Sequence, residues 1–262
     1  MRVEPVPCLS DNYAYLVIDE RTQVVAVVDA SEPKPVLDAL ARVGLPLVAI
    51  LSTHHHGDHV GGNQDVLAAH PQAIVYGHRS DEQRIPGVSR LLDDGDTFEV
   101  GSLKVTARHV PGHTLGAVTY VVTDPQTKEP AWAFTGDTLF LAGCGRLFEG
   151  TPEQMHRSLN HVLASLPPET RIGCGHEYTA SNLAFAQHVE PKNEKVAEAV
   201  AAAKTARDAG RPTVPGTIAE ELATNPFMRV EQPDVRAHVG LGENADPVEV
   251  LARLRNEKNT FR

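Results

Sequence analysis

Two β-sheets packed together with helices outside, followed by a helical region, is the α/β fold that three features of this 262-residue sequence predict. Short apolar, β-branched runs recur too often for one parallel sheet of simple βαβ units. Polar, glycine-containing segments stand directly behind several of these runs, where a layered α/β fold places its ligand-binding loops. Beyond Cys174 the pattern changes to helical spacing rich in Ala, Glu, Lys and Leu.

The elements follow in order. Tyr13 to Ile18 and Val24 to Val28 are apolar and β-branched and read as strands. Pro35 to Val43 has helical spacing and stops at Gly44, a residue suited to a left-handed cap. Leu47 to Leu51 is the next strand, and Ser52 to Gly62 behind it is polar, glycine-containing and crowded with histidine. A short helix over Asn63 to His70 and a strand over Ala73 to Tyr76 precede a polar loop over Gly77 to Gly95. Strands resume at Phe98 to Val100, Leu103 to Val110, Val118 to Val122 and Trp132 to Thr135, with Gly or Pro between them. Arg171 to Cys174 is the last strand. Helices are expected over Ser181 to Val189, Asn193 to Ala209 and Pro247 to Lys258, which divides the chain into an α/β domain over 1–175 and a helical domain over 176–262.

A hydrophobic fraction of 41% is enough for a sizeable core. The formal net charge of -10 counts against nucleic acid as a partner, because phosphate backbones are bound by clustered Lys and Arg. Met1 to Pro7 lacks a positive segment followed by an apolar stretch, and no apolar run spans a bilayer, so a cytosolic protein with no membrane partner is expected. The chain is taken as a monomer, independently of these features. Cys8, Cys144 and Cys174 are scattered without a C-x-x-C pair, which leaves neither a disulfide framework nor a thiolate zinc site.

The chemistry concentrates in Thr53-His54-His55-His56-Gly57-Asp58-His59, a His-x-His-x-Asp-His cluster. Imidazole and carboxylate together suit Zn²⁺, Fe or Mn, whereas calcium takes oxygen alone and structural zinc usually takes Cys. Three further donors stand downstream, each in a glycine-containing turn after a strand-like run: His113 in Pro111-Gly112-His113, Asp137 in Thr135-Gly136-Asp137 and His176 in Cys174-Gly175-His176. Glycine before each donor lets the backbone turn sharply at a strand end, so separate loops can converge. Sorted by chemistry, His54, His56 and His113 suit one metal and Asp58, His59 and His176 a second, with Asp137 between them. Singly, His113 and His176 also fit structural roles, and Asp137 a turn or cap. Period-two alternation turns His55 away. The other seven histidines read as surface or packing residues, and Asp29, at the end of a strand, is a candidate to orient a ligand imidazole.

This pattern resembles the metallo-β-lactamase superfamily over residues 1–176, and over nearly the full length the chain is similar to the glyoxalase II family, the hydroxyacylglutathione hydrolases. The closer likeness rests on Asp11-Asn12-Tyr13, Thr53 to Gly62, Phe134 to Phe140, Gly143-Cys144-Gly145-Arg146, Cys174 to Thr179 and Asn225-Pro226-Phe227-Met228-Arg229. The resemblance implies an αββα sandwich with a binuclear site, two divalent ions with zinc foremost, and a C-terminal domain that helps hold glutathione. It also implies that Arg146, Tyr178, Arg255 and Lys258 contact the glutathione part of the substrate, the cations pairing its carboxylates. Three positions depart from the family: Arg146 stands where Lys is frequent, Phe148 where some members have a second Tyr, and Ala117 where a His often follows Gly116.

The implied reaction is hydrolysis of S-(2-hydroxyacyl)glutathione, such as S-D-lactoylglutathione, the second step of methylglyoxal detoxification. Metal-activated water attacks the thioester, with Asp58 and Asp137 among the catalytic carboxylates. Three other readings stay open at this stage. A mononuclear iron persulfide dioxygenase of the same superfamily would use fewer ligands than the Asp58-His59 pair supplies. A lactonase would not need the glutathione-pairing cations. A module in which metal only staples loops would close its coordination shell.

Overall fold

The computed structural model describes residues 1–261, and the chain forms two compact units. The first comprises Met1–His109, Gly116–Gly136 and Gly173–His176; the second comprises Val110–Leu115, Asp137–Ile172 and the chain from Glu177 onwards.

Within the first unit the strands are β1 (Arg2–Cys8), β2 (Asn12–Asp19), β3 (Val24–Val28), β4 (Leu47–Leu51), β5 (Ile74–His78), β6 (Arg90–Leu92), β7 (Thr97–Val100), β8 (Leu103–His109), β9 (Val118–Thr123) and β10 (Trp132–Gly136). Its helices are α1 (Pro33–Val43), α2 (Gly57–Val60) and α3 (Asn63–Ala69). One sheet has the order β1-β2-β3-β4-β5-β6, antiparallel among β1, β2 and β3 and parallel from β3 to β6. The other runs β7-β8-β9-β10, antiparallel throughout. Gly173–His176 lies beside β10, with the Gly175 N–H donating to the Gly136 carbonyl at 2.9 Å.

Period-two alternation explains how β2 is buried on both faces. Ala14, Leu16 and Ile18 join Val36, Ala39 and Leu40 of α1 and Val66 of α3 in one core. Tyr15 points the other way and meets Phe134 of β10 at 5.2 Å between ring centroids. Tyr76 of β5 stacks on Phe98 of β7 at 3.9 Å. The two sheets therefore face each other through an aromatic layer, and the helices cover the outer face of the first. Each large aliphatic side chain buried here contributes about 1.5–3 kcal/mol, so most of the helical stability of α1 comes from its inward stripe.

The differences from expectation have local causes. β1 carries Pro5 and Pro7, which break a strand reading, yet it pairs with β2 as an edge strand, where one side of the ladder has no neighbour to bond. The short β6 lies inside the stretch expected to be loop. α1 begins at Pro33, because proline suits a first helical turn, and ends as expected at Gly44, φ 68°, whose N–H donates to the Leu40 carbonyl at 2.9 Å.

In the second unit β11 (Leu139–Phe140) pairs with β12 (Gly143–Cys144). α4 (Pro152–Arg157) starts at a capping box of Thr151 and Gln154. Arg171 and Ile172, which begin β13 (Arg171–Cys174), pair with β14 (Gly216–Thr217). The helices are α5 (Thr179–Val189), α6 (Glu194–Asp208), α7 (Ile218–Thr224), α8 (Pro233–His238) and α9 (Pro247–Thr260). Asn193 caps α6 and Asp246 caps α9. α5, α6 and α9 match the expected helices; α4, α7 and α8, of six or seven residues, are too short to show a period. All three cysteines are buried, and none is in a disulfide. Among the described residues no helix is long and apolar enough to cross a membrane.

Candidate metal centre

β4 ends at Leu51 and the chain passes through Ser52–His56 into α2, which places the histidine cluster at the edge of the first sheet. His54 and His59 are buried, and His54 Nε2 lies 3.1 Å from His56 Nδ1. Asp58 Oδ2 stands 3.8 Å from His59 Nε2 and 3.4 Å from His176 Nε2, and the donor atoms of these three residues all lie within 4.8 Å of one another. His176, more than a hundred residues downstream, is brought here by backbone bonds: the Tyr13 N–H donates to the Gly175 carbonyl at 2.9 Å, and Asn12 bridges to His176. The Tyr15 hydroxyl donates to the Cys174 carbonyl at 2.7 Å.

The other ring nitrogens decide which face each imidazole offers. Asp29, φ 51°, sits in a left-handed conformation that costs a non-glycine residue about 1–3 kcal/mol and persists only where its surroundings hold it. Its carboxylate accepts the Thr53 N–H and hydroxyl, each at 2.8 Å, and lies 2.8 Å from His59 Nδ1. Asp11 Oδ1 lies 2.8 Å from His176 Nδ1. A carboxylate only accepts, so both Nδ1 atoms carry the proton and both Nε2 atoms turn a lone pair toward Asp58. Asn12 Nδ2 donates to the Asp58 carbonyl at 3.0 Å and to its Oδ2 at 3.2 Å, which fixes that side chain as well. Asp29→Asn is expected to weaken metal retention by about 10–100-fold, because the amide can present a donor to Nδ1 and release the ring orientation. Competition with a chromophoric chelator measures this, and unchanged affinity would remove Asp29 from the role.

The second unit brings together the remaining two donors. His113 Nε2 is 3.4 Å from Asp137 Oδ2. His113 Nδ1 lies 2.8 Å from the Arg146 carbonyl, an acceptor, so this imidazole also presents an unprotonated Nε2. The Phe148 and Glu149 N–H groups donate to the His113 carbonyl, and the Leu115 N–H donates to Glu149 Oε2 at 2.8 Å. Gly145 permits a close approach: a Cβ there would lie 2.0 Å from the Asp137 carbonyl oxygen and 2.9 Å from His113 Nδ1. Gly112 and Gly136 turn at positive φ, as expected of residues preceding donors, whereas Gly175 turns without one.

Of the residues read for substrate, Arg146 is exposed, while Tyr178 packs edge-on against Phe140 at 5.2 Å and keeps 38% exposure. Arg255 is buried: it donates to the Cys144 carbonyl at 2.7 Å and lies over the Phe227 ring. Lys258 donates to the Ser181 carbonyl at 3.0 Å, and burial, with Arg255 nearby, pushes its pKa down to about 8. Phe148 is 62% exposed beside the His113 ring, where it offers surface but no hydrogen bond. His55 turns aside as expected, its Nδ1 lying 3.2 Å from the buried Asp81 carboxylate. Sequence reasoning missed the roles of Asp11, Asn12, Thr53 and Gly145; the Asp-Asn-Tyr run was visible, but nothing in one sequence says that it meets His176.

Two family patterns match in tandem: residues 10–176 fit the metallo-beta-lactamase superfamily and residues 177–261 fit the hydroxyacylglutathione hydrolase C-terminus. The chain is 49% identical to the hydroxyacylglutathione hydrolase of Synechococcus sp. (strain JA-3-3Ab), covering 100% of both chains. It belongs to the hydroxyacylglutathione hydrolase family. The cytoplasmic hydroxyacylglutathione hydrolase of Arabidopsis thaliana is 44% identical, again over 100% of both chains. Among solved structures, TTHA1623 in a di-iron-bound form is similar with a TM-score of 0.59 and 27% identity, over 87% of this chain and 100% of that one. The αββα sandwich and helical C-terminal region expected of the family are present. In this family member the donors are nitrogen and oxygen without thiolate, and three imidazoles present Nε2 because an acceptor holds Nδ1, so the clusters fit a divalent metal ion.

Proposed function

We propose that this chain hydrolyses S-(2-hydroxyacyl)glutathione, S-D-lactoylglutathione foremost, to glutathione and a 2-hydroxy acid such as D-lactate, the second step of methylglyoxal detoxification. The observation that carries this is the full-length identity to proteins named for that hydrolysis. In this reading His54, His56 and His113 hold one divalent ion, Asp58, His59 and His176 hold a second, and Asp137 joins them. Zinc is the first candidate, with iron or manganese as alternatives; the relative solved with two irons supports a binuclear count. When bound, the ions lower the pKa of water toward about 7 and stabilise the charge that develops on the thioester oxygen.

The chain's own residues do the positioning. Asp29 and Asp11 hold the imidazoles of His59 and His176, the Arg146 carbonyl holds His113, and Asn12 holds Asp58. The departing thiolate is a good leaving group, so no dedicated acid is required of the protein. The helical domain over 176–262, with Arg146 from the α/β domain over 1–175, supplies Tyr178, Arg255 and Lys258 to the glutathione moiety. The reading takes the enzyme as a monomer and places it in the cytoplasm, the latter in keeping with the name of the Arabidopsis relative.

Lys258→Ala is expected to raise KM for the glutathione thioester about tenfold with kcat little changed, since a charged hydrogen bond of about 1.5–3 kcal/mol is lost equally from ground and transition states. Steady-state kinetics checks it; a fall in kcat alone would place Lys258 elsewhere in the cycle. The function itself is tested by incubating the metal-loaded full chain with S-D-lactoylglutathione and following loss of the thioester with release of thiol. Oxygen uptake with glutathione persulfide, and no thioester cleavage, would replace hydrolysis by the oxidative alternative.

A further inference from the structure

Three helices of the second unit end at one place. His188 stands next to last in α5, His238 is the last residue of α8, and Glu257 lies in the last turn of α9. His188 Nε2 is 3.0 Å from Glu257 Oε1, and His238 Nε2 is 3.0 Å and 3.1 Å from the two carboxylate oxygens. The two imidazoles stand edge to face, 4.9 Å apart, and one donor atom from each residue lies within 4.8 Å of the others. Separations near 3 Å are those of imidazole N–H groups donating to the carboxylate, and they also come close to the roughly 3.0–3.4 Å between neighbouring ligands around a cation with bonds of about 2.1 Å, which would displace those protons. Two imidazoles and a carboxylate also match the preference of divalent first-row metals.

The surroundings favour a cation. Each helix C-terminus carries a partial negative charge from its unsatisfied carbonyls, and here three such ends converge. The rings of Phe185 and Phe261 pack beside His188 and hold its orientation, while the half-exposed imidazole leaves a path to solvent. Lys258, the next residue after Glu257, directs its ammonium to Ser181.

We propose that His188, His238 and Glu257 form a separate divalent-metal site that ties together the C-terminal ends of α5, α8 and α9. It stands apart from the seven donors assigned to hydrolysis and does not depend on that assignment. Because α9 also carries Arg255 and Lys258, occupancy fixes the helix that presents both cations.

The test uses the full-length protein, stripped with chelator and reloaded with zinc alone. Wild type is expected to retain one equivalent of zinc more than the His188→Ala/His238→Ala double variant, whatever the absolute count, and the double variant is expected to keep thioester hydrolysis. Zinc is also expected to raise the Tm of wild type by more than that of Glu257→Gln, which preserves the shape and most of the hydrogen bonding but weakens the ligand. Equal zinc counts, or equal zinc-induced Tm shifts in wild type and Glu257→Gln, would reduce the cluster to a hydrogen-bonded contact between helices. Should the double variant fail to fold, the Glu257→Gln comparison alone decides. A wild-type chain inactive on thioesters that still shows the one-equivalent difference would separate this site from the hydrolytic reading.

Discussion

Asp137→Ala abolishes metal loading and thioester hydrolysis together and leaves the fold in place: this is the largest effect expected of any single substitution in the chain. Asp137 is 8% exposed, and its carboxylate stands 3.4 Å from His113 Nε2. In the proposed reading this carboxylate would be a ligand of the metal centre, and an alanine removes its negative charge while adding no steric strain. A metal centre supplies several kcal/mol of transition-state stabilisation, so kcat should fall about 10³-fold or more. Elemental analysis and turnover measured on one preparation, with circular dichroism to confirm folding, give the comparison. A metal-free Asp137→Ala protein with full activity would remove the basis of the metal-dependent reading.

The second large effect is on stability. Glu221 of α7 is almost completely buried; its Oε2 accepts the Ala142 N–H at 2.9 Å and the Asn225 side-chain amide at 2.7 Å. Burial pushes its pKa up from 4.5 to about 8, against the lowering effect of these two hydrogen bonds. Below pH 4.5 the carboxyl is neutral in both folded and unfolded chains and favours neither. Between about pH 4.5 and 8 the unfolded chain releases this proton and the folded chain keeps it, so stability is lost as the pH rises; above pH 8 both are ionised and the loss levels off. Glu221→Gln retains an acceptor for both donors without a charge to bury. Its stability relative to wild type, followed as Tm, is therefore expected to climb across that window and then plateau, the free-energy difference reaching several kcal/mol at the upper bound. Parallel melting profiles from pH 5 to 9 would show that the folded chain tolerates the ionised form.

How much was legible beforehand depended on the range of the interactions. The His-x-His-x-Asp-His run is local, so its crowding speaks for itself, and period two correctly turned His55 away from it. The strands of the sandwich were readable because β2, β3 and β4 are buried on two faces and appear as unbroken apolar runs. β1 escaped notice because its prolines are tolerated only by virtue of an edge position, which is a fact about neighbours. The same holds for the residues that steer the donors. Asp11 meets His176 across 165 positions, and Gly145 earns its place by what a side chain would strike in Asp137 and His113. His188 and His238 read as ordinary surface residues because their company is assembled by three separate helices.

The burial of every cysteine carries a further consequence for a catalyst that releases a thiol. Burial raises the pKa of Cys8 and Cys144, and the Cys174 thiol is enclosed where it donates to the His176 carbonyl. Mixed disulfides form when an accessible thiolate attacks the sulfur of a disulfide and releases its other half as thiolate, and this chain offers no exposed cysteine among its described residues. Oxidised glutathione, the disulfide able to exchange with a protein thiolate, therefore meets no exposed cysteine sulfur among the described residues.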